Sequence, residues 1–274
     1  GLLQNETPVL FRGERVSLGF LIGVTLTMFL IFCIHILFGL SLSFLPLFAI
    51  QVAIGILLSG IMFWKKIPFM ATRDPLGDER WSTVQKIVVG ILGTWTMLKV
   101  AMLGITFLFL TPTFFDDTVD NWNLRAKVFY HEQTIELLLP GRGDTPADVS
   151  SYPPTVPLMK TWMATVAGWN DDAVNAVHLA WFLSALALLY YALRRYLSRM
   201  WSLFGIYAIV SMPLYLMHGT NTYADIFMGT HVFAAIILLF HAIRSENPGT
   251  RDAFLRMSAV ATALLPFTKN EGLL

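Results

Sequence analysis

Residues 16–38 read VSLGFLIGVTLTMFLIFCIHILF, 23 positions without an Asp, Glu, Lys or Arg. About 20 predominantly apolar residues, each adding about 1.5 Å to a helix, cross the hydrocarbon core of a bilayer. The stretch is a membrane span. It is too long for the apolar part of a signal peptide and lacks a small-residue cleavage site before a soluble domain, so it reads as a retained helix. The whole chain agrees with this reading: 55% of its 274 residues are hydrophobic and 14% are charged, an apolar excess beyond the needs of one soluble core. Further apolar runs lie near residues 43–64, 87–111, 173–193, 200–217 and 224–243, and a weaker seventh starts near Ala253. The expected fold is all-α, a polytopic membrane protein of about seven transmembrane helices. Because it begins at Gly1 and stops soon after the seventh apolar part, the chain reads as a piece of a longer protein.

Basic residues give an orientation, since Lys and Arg in short loops favour the cytoplasmic side. With the N-terminus inside, 13 of the 19 fall on that side, among them Arg12, Arg15, Lys65, Lys66, Arg194, Arg195 and Arg244. Five fall outside (Arg125, Lys127, Arg142, Lys160 and Lys269), and Lys99 lies within the bilayer. The chain then divides into a cytoplasmic tail (1–16), three spans (17–111), an extracytoplasmic loop (112–172) and four further spans (173–274). The first two spans form a hairpin whose ionisable side chain is His35, assigned to packing. The single cysteine, Cys33, lies inside the first span, which leaves no disulfide or Cys-based metal site within the chain.

Loop 112–172 is the long polar segment, and loops of that length are usually functional or disordered. Residues 119–139 lack Gly and Pro and carry spaced apolar side chains such as Trp122, Val128 and Phe129, so one or two helices along the membrane surface are expected. After a turn-rich break, Pro157 to Trp169 reads as a second surface helix.

The loop opens with Phe115-Asp116-Asp117-Thr118-Val119-Asp120-Asn121-Trp122, where the third span leaves the membrane. On an α-helix Asp116 and Asp120 share a face. Carboxylates so placed can serve as a general base or hold a divalent cation. They also suit a solvated helix start, where Asp is favoured. Lys99 lies near mid-membrane, where a charge costs about 2.5 to 3.5 kcal/mol on insertion scales, so a carboxylate or an anionic ligand is expected beside it. Asp225, Lys269 and Glu271 fall at the outer ends of later spans, so the topology brings three polar clusters to one side. Lys269 and Glu271 follow a short apolar segment broken at Pro266, which fits an interrupted helix facing a cavity. The histidines show no paired metal-ligand spacing, and the chain carries no phosphate-binding Gly loop, no Ser-centred elbow and no nucleic-acid signature. No cofactor is certain from these motifs, and a divalent cation is compatible with them.

Asp116-Asp117 after a span, Asn121-Trp122, Ala126-Lys127 and then Tyr152-Pro153-Pro154-Thr155-Val156-Pro157-Leu158 resemble the polyprenyl-phosphate-dependent membrane glycosyltransferases of the GT-C fold, the superfamily of protein O-mannosyltransferases and lipid A aminoarabinose transferases. In that family an acidic pair opens the first large extracytoplasmic loop, and a His-Pro-Pro-Leu type element precedes the next span. Here two spans precede the loop rather than one, the pair is Asp-Asp rather than Asp-Glu, and Tyr152 stands in the place of the histidine. The resemblance implies an enzyme of the cell envelope, in a bacterial plasma membrane, that passes a sugar from a polyprenyl-phosphate carrier to an unknown extracytoplasmic acceptor. It implies Asp117 or Asp116 as the base, and Lys99, Lys127 and Lys269 as candidates for the carrier phosphate. Asp225 and Glu271 would bind sugar hydroxyls or orient the lysines, with Asp120, Asn121, Trp122 and Tyr152 completing the substrate site. A rival class, a transporter or flippase for a lipid-linked or anionic substrate, also accounts for Lys99 and a broken seventh helix.

Overall fold

The computed structural model describes residues 8–66, 81–114, 117–136, 152–221 and 223–274. Helices α1 (Arg12–Phe38), α2 (Phe44–Trp64) and α3 (Thr83–Ile105) come first, α3 running on as a π-helical turn over Thr106–Leu110. The loop contributes a π-helical segment, Thr118–Asn123, that leads into α4 (Leu124–Glu132), and then α5 (Thr155–Ala167). A 3₁₀ turn (Ala173–Asn175) opens α6 (Ala176–Arg194), followed by α7 (Arg199–Val210), α8 (Pro213–Thr220) and α9 (Asp225–Ile243). Helices α10 (Pro248–Ala263) and α11 (Leu265–Thr268) and a 3₁₀ turn over Asn270–Leu273 complete the chain. No strand occurs among the described residues.

Local chemistry sets the helix ends. Ser82 accepts from the Gln85 backbone N–H at 3.2 Å while the Gln85 side chain accepts from Ser82 N–H at 2.9 Å, a reciprocal cap for α3. Asn247 accepts from Thr250 N–H at 2.9 Å and Pro248 follows it, at a position where a missing N–H costs nothing. Gly39 ends α1 with φ 63°, its N–H bonded to the His35 carbonyl at 2.8 Å.

Among the described residues five helical stretches are long and apolar enough to cross a membrane: Arg12–Phe38, Phe44–Trp64, Thr83–Leu110, Ala173–Arg194 and Asp225–Ile243. These match five of the expected spans. The expected span 200–217 is instead the pair α7 and α8, bent by 81°. Pro213, which cannot donate to the preceding turn, stands at the break. The weak seventh segment is α10, 16 residues long, packed along α9. Most of α2 is exposed, with Ile56, Leu57 and Phe63 turned outward, as suits a helix facing lipid.

The two ends of the bundle are tied differently. At one end buried Glu14 pairs with Arg195, whose Nε donates to Glu14 Oε1 at 2.7 Å and whose guanidinium lies 4.4 Å from the Phe11 ring and 5.0 Å from that of Phe254. At the other end, which carries loop 112–172, the Leu42 N–H donates to Gln133 O at 2.9 Å. His35 links the same pieces: its Nε2 accepts from Ile135 N–H at 3.1 Å, which leaves Nδ1–H to donate to Leu40 O at 2.6 Å. The histidine assigned to packing therefore fastens the α1–α2 turn to the loop.

Helix α5 departs most from its expected place. Thr155 to Thr161 are all buried, as is Ala164, so this helix is inserted into the bundle and does not lie along a surface. It touches α1, α2, α4, α6, α11 and the π-helical segment, and so positions everything at the loop end.

Candidate active site

Lys269 is the centre of a polar cluster at the loop end. Its Nζ lies 2.8 Å from Asp225 Oδ1 and 3.3 Å from Glu271 Oε1, and 5.9 Å from the centroid of the Tyr152 ring. Lys269 follows the end of α11 in extended conformation, while Asp225 is the first residue of α9, so the pair joins the start of α9 to the end of α11. Burial lowers the Lys269 pKa, but the hydrogen bond and charge of Asp225, reinforced by Glu271, outweigh it and leave the pKa raised. The ammonium has three N–H donors and its two carboxylate partners occupy two of them. Both carboxylates remain close to half-exposed, at 46% for Asp225 and 45% for Glu271.

Tyr152 connects this cluster to the acidic loop. Its ring lies 5.6 Å from that of Trp122, which is buried in the π-helical segment. The Thr155 hydroxyl donates to the Phe267 carbonyl, two residues before Lys269. The Tyr-Pro-Pro element thus stands between the π-helical segment and the Lys269 strand of chain, and sequence separations of more than a hundred residues close at one place.

Asp117 is exposed at the start of the π-helical segment, and Asp120 is exposed within it. Asn121 is buried, its Oδ1 without a hydrogen-bond partner among the described residues. Asp116 lies outside the described residues. Lys99 stands elsewhere: half-buried, it donates to Ser211 Oγ at 2.9 Å and sits 5.0 Å from the Tyr207 ring and 5.8 Å from that of Trp95. Among the described residues a hydroxyl and the faces of Tyr207 and Trp95 stand beside Lys99 where a carboxylate or an anionic ligand is expected, and aromatic faces attract a cation. Lys127 pairs with Asp171 at 3.6 Å and lies 5.9 Å from the centroid of the Trp169 ring.

Two features escaped the sequence reading. Asp171 and Asp172 form a second acidic pair, visible in the sequence after Trp169-Asn170, and Asp172 Oδ1 accepts from Thr113 N–H at 3.0 Å and Thr113 Oγ1 at 2.8 Å. Lys160, counted as an outer-side cation, is fully buried and donates to Asn123 Oδ1 at 2.7 Å. Burial holds the Lys160 pKa well below the usual lysine value.

A cavity of 670 Å³ opens beside Asp225, between α6, α7, α8 and α9. Apart from Asp225, Thr230, Tyr215 and His218 its walls are apolar, including Leu189, Ile209, Met212 and Phe233. Gly219 lets α8 lie against Phe182 below it, since an added Cβ would fall 2.3 Å from that ring.

These features define a multi-pass membrane protein with a polar site at one end of its bundle and an apolar cavity leading from it. Residues 151–268 match the family model described as dolichyl-phosphate-mannose-protein mannosyltransferase, which supports the resemblance to GT-C fold glycosyltransferases. The matched segment is less than half of the 274 residues; it includes Tyr152, Lys160 and Asp225 and stops one residue before Lys269. Comparison with curated proteins and with solved structures gave no match.

Proposed function

We propose that this chain moves a sugar from a polyprenyl-phosphate carrier to a hydroxyl acceptor at the loop end, which faces outward by the distribution of basic residues. The observation that carries the reading is the Lys269 site itself: an ammonium with one N–H left for a phosphate oxygen, two half-exposed carboxylates for sugar hydroxyls, and an apolar cavity starting at Asp225. A lipid carrier needs this combination of polar head site and apolar slot. The matched family takes its name from a dolichyl-phosphate-mannose donor and a protein acceptor, which makes a mannosyl group and a Ser or Thr hydroxyl the first choices to test.

In this scheme the acceptor O–H loses its proton to the Asp117 carboxylate, with Asp116 as the neighbouring alternative. The acceptor oxygen bonds to the anomeric carbon as the bond from that carbon to the phosphate oxygen breaks, inverting the centre. The electron pair leaves on the polyprenyl phosphate, where Lys269 stabilises the added charge. Asp225 and Glu271 orient Lys269 and accept hydrogen bonds from the sugar. Lys99 and Lys127, held by other partners, take no part at this head site.

The bent pair α7–α8 is also what a transporter would have. The discriminating experiment uses purified protein in liposomes containing polyprenyl-phosphate mannose and a Ser/Thr peptide. Release of polyprenyl phosphate with glycosylated peptide supports transfer; movement of intact donor between leaflets without turnover supports a flippase and contradicts the proposal.

A further inference from the structure

Lys160 is a lysine where an apolar residue would fit. It sits on α5 between Met159 and Thr161, fully buried, and among the described residues its side chain donates to one neutral amide, Asn123 Oδ1, at 2.7 Å. A fully buried amine with so little compensation is costly to charge, and apolar replacements of buried ionic groups are often neutral or stabilising. Stability therefore does not explain the lysine well. Its partner does: Asn123 is the last residue of the π-helical segment that begins after Asp117. π-Helical turns are rare and occur mostly at functional sites.

The Asn123 amide is held from both sides. Its Oδ1 accepts from Lys160, and its Nδ2 donates to the Asp171 carbonyl at 2.8 Å. The same carbonyl accepts from Asn175 Nδ2 at 2.8 Å, and Asn175 Nδ2 also reaches Thr113 Oγ1 at 3.2 Å. The chain of bonds thus runs from α5 through the end of the π-helical segment to the start of α6 and on to Thr113, just before the acidic pair. A neighbouring tie, Thr161 Oγ1 to Ala126 O at 3.2 Å, fixes α4 on the same helix. Asn123 follows Trp122, whose ring meets Tyr152 over Lys269. A shift at Asn123 would reach both the acidic loop and the Lys269 cluster.

We infer that Lys160 is a positioning residue for transfer: by holding Asn123 it sets the winding of Thr118–Asn123, and so aims the Asp117 end of that segment and the Trp122–Tyr152 contact at the reacting groups. This inference rests on the transfer reading above. It assigns Lys160 no contact with substrate.

The test compares Lys160→Met, which keeps the volume and removes the donor, with Asn123→Ala and the double variant. Each is measured as the full chain in liposomes with the polyprenyl-phosphate donor. A second readout is the ¹⁹F resonance of Trp122 in protein labelled with 5-fluorotryptophan, assigned with Trp122→Phe. The expected result for Lys160→Met is a moved or broadened Trp122 resonance and a kcat loss of about 100-fold, the cost of a misplacement of about 1 Å, with donor KM within about threefold. Asn123→Ala should match it, and the double variant should be no worse than either, because the two residues act through one bond. An unmoved Trp122 resonance overturns the inference, and so does a moved resonance with unchanged kcat, which would leave Lys160 a structural residue. If the wild-type protein transfers no sugar, the transfer reading fails and the role of Lys160 in catalysis with it, while the resonance still decides whether it sets the segment. Should Lys160→Met fold poorly, Asn123→Ala carries both measurements alone.

Discussion

The Lys269 ammonium lies 2.8 Å from Asp225 Oδ1, a contact across 44 positions of sequence that brings the start of α9 to the extended residue after α11. Two ionic groups so joined depend on each other, and removing the cation leaves two carboxylates facing one another. Lys269→Met should therefore reduce kcat/KM by at least about 100-fold, the order expected on losing a charge-stabilising donor. Asp225→Asn should lose activity too, and the double variant should fall short of the product of the two losses. Steady-state transfer rates of the three variants check this.

The same pair predicts an alkaline signature. The Lys269 pKa is raised, burial pulling it down and Asp225 and Glu271 pulling it up by more. A lysine with a raised folded-state pKa contributes stability that is fully present below the unfolded value of about 10.4 and is lost as pH rises through the folded value. Thermal unfolding in detergent should show wild type and Lys269→Met separated by a constant margin from pH 7 to 9. The margin should narrow only above about pH 10.4.

Gly229 lines the cavity beside Asp225, and a Cβ there meets nothing within 4 Å. Gly229→Phe should fold normally and fill the slot. If the slot holds the carrier chain, the variant should raise KM for a long-chain polyprenyl-phosphate donor about tenfold or more, consistent with about 0.8 kcal/mol for each buried methylene excluded. A donor with a chain of one or two isoprene units should be used equally by both proteins.

At the opposite end, Glu14→Ala should act on stability alone. The glutamate is buried and holds Arg195, so its loss leaves an uncompensated guanidinium between Phe11 and Phe254. Breaking a buried pair in this way costs about 3–5 kcal/mol. Unfolding measurements should register that loss, with activity per folded molecule unchanged.

Much of the helical arrangement is legible in the sequence because lipid imposes a simple pattern: five of the expected apolar runs, residues 16–38 among them, form helices long and apolar enough to cross a membrane. Pro213 marks the break that an apolar count alone passes over, since hydropathy does not register where a helix turns. Helix α5 was harder, because its amphipathic spacing is the same whether it lies on a membrane or slots between helices; only its neighbours decide. Lys160 looked like a surface cation for that reason. Lys99 lies within the span Thr83–Leu110, as its spacing predicts, but an ammonium can be accommodated by Ser211 and aromatic rings as well as by a carboxylate, a choice that spacing does not encode. The Tyr152 to Lys269 approach belongs to tertiary structure, which spacing along the chain does not encode.

In the proposed transfer from a lipid phosphate, a carboxylate at the head of the acidic loop takes the acceptor proton. The most direct measurement is the rate of sugar transfer from a polyprenyl-phosphate donor by folded Asp117→Asn protein, with Asp116→Asn beside it. A general base contributes about 10²- to 10⁴-fold, so one of the two variants should lose at least about 100-fold in kcat while still binding donor. Wild-type rates from both variants would rule out either carboxylate as the base.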